Sequence, residues 1–165
     1  MPTSEEGAET VALLRSLTNQ RAHVLEALDG LPENALRRPV LPSGWTCLGL
    51  VQHLALDVER FWFRAVVAGE QVDLEKGDGA WQVASDAPAD TVFALYRDEI
   101  ARADAIIRAT PLGADPAWWP DFFGDLPRRD TRATVLHVIT ETATHAGHLD
   151  AARELLDGSQ WLVLT

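Results

Sequence analysis

Apolar residues recur at helical spacing in four separate stretches of this chain, and this pattern limits the fold more than any other feature. The stretches cover residues 5–28, 46–68, 88–109 and 130–157, with apolar positions three, four or seven residues apart. Connections containing proline and glycine separate them. Helices of about 23 to 28 residues are about 35–42 Å long, which suits a four-helix bundle. The sequence therefore predicts an all-α four-helix bundle.

Local signals predict where these helices begin and end. Thr46 is a plausible N-cap, residues 130–131 begin the last helix, and Gly158 follows its end. The connections 31–44 and 69–87 are predicted to be loops, and the tail 160–165 a short strand or a packed terminus. The third connection, 111–129, is unusually apolar and is expected to fold back over a pocket or an interface, through its aromatic residues Trp118, Trp119, Phe122 and Phe123.

Composition narrows the class of protein. The chain has 165 residues, 47% apolar and 24% charged, which is typical of one globular domain over 1–165. A net charge of −11 argues against nucleic acid and acidic membranes as partners. Cys47 is the single cysteine, so no disulfide forms within the chain. No apolar run approaches the ~20 residues that span a membrane, and residues 1–10 do not have the pattern of a signal segment. We expect a soluble cytoplasmic protein.

Histidine and carboxylate residues cluster on the predicted fourth helix. His137, Glu141 and His145 follow one another at four-residue intervals and so lie almost on one line, and His148 comes three residues later, with Asp150 nearby. A further histidine, His53, lies in the apolar stripe of the second helix, beside Leu50 and Leu54.

Imidazole and carboxylate groups at this spacing favour a divalent metal site. Two side chains four residues apart can reach one ion, and a third from another helix completes a face that leaves room for substrate. His53, Glu141 and His145 form such a set, although spacing alone leaves His137 and His148 as competing ligands. The alternative is that these are structural histidines, which is our interpretation of His23.

Two short motifs carry a resemblance to a known family. Residues 141–150 read Glu-Thr-Ala-Thr-His-Ala-Gly-His-Leu-Asp, and Ser-Gly-Trp-Thr at 43–46 precedes His-Leu at 53–54. Together with the helix order and loop placement, they resemble the DinB-like superfamily over nearly the whole chain. The resemblance extends to its actinobacterial branch, which includes mycothiol-dependent maleylpyruvate isomerase.

The resemblance implies a DinB-like four-helix bundle that holds a metal by His53, Glu141 and His145. Zinc is the expected ion, and nickel, iron or manganese suit the same donors. His148 is expected at the rim of the site as a catalytic base or substrate contact, with His137 as a weaker candidate. Asp57, one turn after His53, either faces the same cavity or is a solvated or ion-paired carboxylate.

By the same resemblance, the function is metal-dependent transfer of a small thiol such as mycothiol to an electrophile, or thiol-assisted isomerisation. Isomerisation of maleylpyruvate itself is not expected, because that enzyme has an additional C-terminal domain. The alternatives are a hydrolase that uses metal-activated water and a non-enzymatic metal-binding stress-response protein. The exposed aromatic residues and family habit suggest a homodimer.

Two further residue types are interpreted structurally. Cys47 lies near the start of the second helix, where the helix dipole lowers a thiol pKa, yet a structural role is favoured because nothing else indicates a nucleophile. The loop arginines could hold an acidic group, but we interpret them as solvated charges: Arg37, Arg38, Arg128 and Arg129.

Overall fold

All regular secondary structure in the part of the chain that the structure describes is helical. The structure, a computed structural model, describes residues 4–161, with side chains from residue 7 onward. No strand occurs in this range, so the prediction of an all-α chain is confirmed. The helices are α1 (Ser4–Ala27), α2 (Glu33–Leu36), α3 (Cys47–His53), a π-helix (Leu54–Val67), α4 (Ala89–Ala109) and α5 (Thr131–Asp157).

The predicted helix ends are confirmed at the two helices that carry the candidate site histidines, α3 and α5. The Thr46 hydroxyl accepts a hydrogen bond from the Gly49 backbone N–H at 3.0 Å, which caps α3. The Asp130 carboxylate accepts one from the Ala133 N–H at 2.7 Å and caps α5. The helix ends at Gly158, whose φ of 78° is the left-handed conformation that glycine adopts without strain.

The structure departs from the sequence prediction in three connections and in one helix. A short helix, α2, lies in the connection 31–44, and single 3₁₀ turns occur at Gly79–Trp81 and Asp121–Phe123. The second long helix changes to the wider π register at Leu54, directly after His53. Such segments are rare and occur frequently at functional sites. Of the predicted tail, 160–165, the part that follows Trp161 lies outside the described residues.

The helices pack in two main pairs. α1 lies along α5, and the π-helix lies along α4, while α3 contacts both α4 and α5. Leucine, valine and alanine side chains from all of these helices fill the core. The end of α3, where His53 lies, is therefore placed beside α5, which carries the other predicted site residues. No helix among residues 4–161 is long and apolar enough to cross a membrane.

A buried group of charges lies within this core, which the sequence analysis did not predict. Arg21 of α1 donates two hydrogen bonds to Glu59 of the π-helix, at 2.7 and 2.6 Å, and a third to Asp104 of α4 at 2.7 Å. Arg21 and Glu59 are 2% and 1% exposed. Each of the two buried charges therefore has a close partner, and the contacts of Arg21 with Glu59 and Asp104 join α1, the π-helix and α4.

Candidate functional site

His53 is held on two sides by its neighbours. Its Nδ1 is 2.9 Å from the Asp57 carboxylate, and its ring stacks on Trp81 with centroids 4.2 Å apart. An ionised carboxylate can only accept a hydrogen bond, so Nδ1 carries the proton. The ring is thus fixed in orientation, and Nε2 is the nitrogen that remains for a ligand, since no residue in the described range is hydrogen-bonded to it.

Trp81 reaches His53 because its loop is fastened to α3. The Gln52 side-chain amide donates to the carbonyl oxygens of Ala80 and Gln82, at 3.0 and 3.2 Å. A Cβ on Gly49 would lie 2.5 Å from the Trp81 carbonyl oxygen, so only glycine allows this close approach. Trp81 was not predicted as a site residue, because its only signal in the sequence is a tryptophan within a loop of glycine and acidic residues.

His145 of α5 lies beside His53. Their ring centroids are 5.1 Å apart with the rings nearly perpendicular, and Trp81 lies 5.9 Å from the His145 ring. Burial, together with the nearby His53, lowers the pKa of His145 to about 4, against an opposing effect of Glu141. His145 is therefore neutral near pH 7, the state in which a ring nitrogen can bind a metal.

The carboxylate of Glu141 lies near His145 without a hydrogen bond to it. The distance from Glu141 Oε2 to His145 Nε2 is 3.7 Å, which exceeds hydrogen-bonding range. The structure thus brings His53 next to His145, and His145 next to Glu141. Within residues 4–161, however, no three His, Cys, Asp or Glu side chains are grouped so that they could hold a metal ion.

The remaining histidines of α5 lie in different surroundings. His148 is exposed, with its Nδ1 3.4 Å from Nδ1 of His145 and its ring 6.3 Å from that of Trp45. His137 instead packs edge-on against Trp62 at 4.8 Å, and burial followed by the charge of Arg129 lowers its pKa. His148 thus lies at the edge of the histidine pair, and His137 belongs to an aromatic cluster.

Asp150 does not join the histidine cluster, although the sequence places it close by. Both of its oxygens are 2.9 Å from Nε2 of His23 on α1, and the His23 ring stacks on Trp161 with centroids 3.7 Å apart. The turn of the helix explains this, because Asp150 points to a different side of α5 from His145. His23 is hydrogen-bonded and packed, as the structural interpretation of this residue expects.

The surroundings of Cys47 agree with a structural role, whereas one of the four loop arginines, Arg129, differs from its interpretation. Cys47 is buried, and burial raises the pKa of its thiol to about 11, which leaves little thiolate near neutral pH. Arg37 and Arg38 bind backbone carbonyls, and Arg128 is exposed. The interpretation of Arg129 as a solvated charge is wrong: its guanidinium lies 5.1 Å from the centre of the Trp62 ring, and its Nη1 is buried.

The site that emerges is a pair of imidazoles from two helices, a neighbouring carboxylate and a tryptophan wall, all held on an all-helical frame. The family model described as Mycothiol-S-transferase matches residues 12–158, and the chain belongs to this DinB-like family. The match includes every residue of the histidine cluster. No curated protein matches the chain, and no solved structure matches it either.

Proposed function

We propose that this protein transfers a thiol of the mycothiol type to small electrophilic substrates, at the site formed by His53, His145 and Glu141. The observation that carries the proposal is the family match over residues 12–158, because this stretch contains the whole site. In such a transfer the thiol sulfur forms a bond to an electrophilic carbon. From an alkyl halide, the halide leaves with its electron pair, and the thiol proton passes to a base.

A divalent metal is the second part of the proposal, with zinc as the expected ion and nickel, iron or manganese as alternatives. The donor set of His53, His145 and Glu141 fits such an ion, since two imidazoles and a carboxylate are common ligands of these metals. The hydrogen bond from His53 to Asp57 is the arrangement that usually orients a metal-binding imidazole. Because the donors are not already grouped, their side chains must rotate to meet one ion.

Each residue of the site has a definite task in this proposal. A divalent cation, when bound, lowers the pKa of a thiol beside it and so makes the sulfur nucleophilic. Asp57 holds the His53 ring by a hydrogen bond at Nδ1, and Trp81 holds it by stacking on its face. Burial keeps His145 unprotonated. His148 lies at the solvent edge of the pair, where it can accept the thiol proton and release it to water.

We also propose that α1, the α3–π segment, α4 and α5 form the four helices of a DinB-like bundle, as their pairwise packing supports. Membership of the actinobacterial branch that contains the maleylpyruvate isomerase stays a prediction. Neither statement alters the site, because the site is built only from α3, the π-helix, the loop at Trp81 and α5.

Two turnover assays and a metal-uptake measurement separate the proposed function from its alternatives. Zinc-loaded protein is mixed with 1-chloro-2,4-dinitrobenzene, with and without mycothiol, and thioether formation is followed by absorbance. Thiol transfer gives turnover only when the thiol is present. Turnover of a model ester without thiol would support the hydrolase instead, and metal uptake without turnover in either assay would support the binding protein.

Substituting His148→Ala is expected to lower kcat/KM for thiol transfer by about 10²–10⁴-fold, because a positioned proton acceptor typically contributes this much. The metal content should stay unchanged, since His148 lies at the edge of the site. Steady-state kinetics and metal analysis of the same preparation check both parts. An equal loss of metal would instead identify His148 as a ligand.

Substituting Asp57→Ala is expected to weaken metal binding by about 10–100-fold, because the imidazole of His53 loses the partner that orients it. Competition with a chelator of known affinity measures the change. Asp73→Ala is the matched control, since Asp73 is an exposed aspartate in the following loop. Equal affinity of the two variants would contradict the positioning role of Asp57.

A further inference from the structure

A cavity lies between the π-helix, the connection 111–129 and the first turns of α5, where His137 lines it one helical turn before Glu141. Its volume is about 320 Å³. Three aromatic side chains line it: Trp62 and Phe123 lie nearly parallel with centroids 5.7 Å apart, and Trp119 lies 4.9 Å from Phe123. Flat apolar walls of this kind favour a planar apolar ligand.

The polar groups around this cavity are donors and cations. Arg128, Arg129 and His137 line it, and none of the described residues that line it is an aspartate or glutamate. Although the chain has a net charge of −11, these side chains make the potential at the cavity locally positive, which attracts anions. The cavity is therefore suited to a ligand that carries a negative charge.

Two of its donors are buried without an acceptor. Nη1 of Arg129 and Nε1 of Trp119 have no hydrogen-bond partner among residues 4–161, although both side chains line the cavity. A buried donor without a partner is energetically costly, and a charged donor more so. An anionic group in the cavity would supply the missing acceptor once the Arg129 side chain turned toward it, and a carboxylate is the smallest common group of this kind.

From these observations we infer that the cavity binds a planar apolar carboxylate, with the carboxylate on Arg129 and the apolar part against Trp62, Trp119 and Phe123. Because the cavity lies one helical turn from Glu141, we assign this ligand as the electrophile, an assignment that rests on the proposed function. His137 at the cavity lies one helical turn before Glu141, and Trp62 lies on the π-helix that follows His53.

Binding is tested without thiol or metal, so that the result does not depend on transfer. Isothermal titration calorimetry compares 2-naphthoate with 2-naphthamide, which has the same ring system but no charge. We expect 2-naphthoate to bind at least about tenfold more tightly. Arg129→Gln should remove this preference, while Arg102→Gln, which removes an exposed arginine of α4, should preserve it. Equal binding of the two compounds to the parent protein would overturn the inference.

A second variant keeps the test decisive if Arg129→Gln does not fold. Ala133→Leu fills part of the cavity with a larger side chain from the first turn of α5 and leaves Arg129 in place. It should weaken the binding of both compounds by at least about tenfold, because the space they occupy is filled. Unchanged binding of 2-naphthoate to this variant would place the ligand elsewhere and overturn the inference.

An activity measurement separates this inference from the proposed function. With mycothiol and 4-chloro-3-nitrobenzoate, the sulfur bonds to the ring carbon, the carbon–chlorine bond breaks, chloride leaves with the electron pair and the thiol proton passes to solvent. Arg129→Gln should raise KM for this substrate by about tenfold and leave KM for the uncharged 1-chloro-2-nitrobenzene unchanged. An equal rise for both would overturn the inference alone, whereas carboxylate binding without any transfer would overturn the proposed function alone.

Discussion

Substituting His145→Ala is expected to abolish metal binding and to lower kcat/KM for thiol transfer by more than about 100-fold, since even residues that only orient metal ligands contribute 10–100-fold. The physical reason is position: His145 is the residue that contacts both other proposed ligands, His53 at 5.1 Å between ring centroids and Glu141 at 3.7 Å. Its low pKa also keeps the His145 imidazole unprotonated near neutral pH. Metal analysis after dialysis against buffered zinc, together with the thiol-transfer assay, measures both effects.

His23→Ala is the control for this prediction. His23 is also a partly buried histidine with carboxylate and aromatic neighbours, but it lies on α1 and pairs with Asp150. Its removal should leave both the metal content and the transfer rate intact. Equal metal loss in the two variants would argue against a site at His145 and for a general effect of removing a packed histidine.

Substituting Arg21→Met is expected to lower the free energy of unfolding by about 3–5 kcal/mol, because it leaves the carboxylate of Glu59 buried without a cation. Glu59 is 1% exposed, and Arg21 is its bidentate partner. Asp104, the other partner of Arg21, is more exposed and keeps a contact with Arg108 at 3.2 Å. Equilibrium unfolding in urea, followed by circular dichroism, measures the change.

The double variant Arg21→Met, Glu59→Leu should recover most of this stability, because it removes both buried charges and leaves apolar side chains in the core. A double variant as unstable as the single one would mean that lost packing, and not the unpaired charge, explains the effect.

The stability of the single variant should also depend on pH. Burial raises the pKa of Glu59, and without Arg21 nothing nearby opposes this strongly. A carboxyl group whose pKa is higher in the folded than in the unfolded state is most compatible with folding when protonated. Stability is therefore retained at acidic pH and lost as the pH rises through the folded-state pKa. Unfolding at pH 5 and pH 8 should show a larger deficit at pH 8.

The helices and their ends could be predicted from the sequence because the signals are local. Apolar spacing, the cap at Thr46, the cap at Asp130 and the glycine at 158 each act within a few residues. The motif from Glu141 to His148 indicated the family for the same reason, since its spacing is set by a single helix. Because Glu141 and His145 are four residues apart on one helix, the sequence alone predicts that their side chains are neighbours.

Other features depend on how distant segments meet, which no local pattern records. Trp81 lies against His53 because Gln52 is hydrogen-bonded to its loop and Gly49 leaves room for the loop to approach. Asp150 pairs with His23 because α5 packs on α1. A side chain's partner is set by the rotation of its helix about its own axis, and small changes in that rotation exchange one neighbour for another.

The sequence by itself determined that this chain is helical, where its helices begin and end, and which histidines and carboxylates share a face, because periodicity and capping are properties of adjacent residues. Only the tertiary structure decided that His53 and His145 meet beside Trp81, that Arg21 and Glu59 pair in the core, and that Arg129 lines an aromatic cavity. These contacts join segments far apart in the chain, and they form only when whole helices pack against one another.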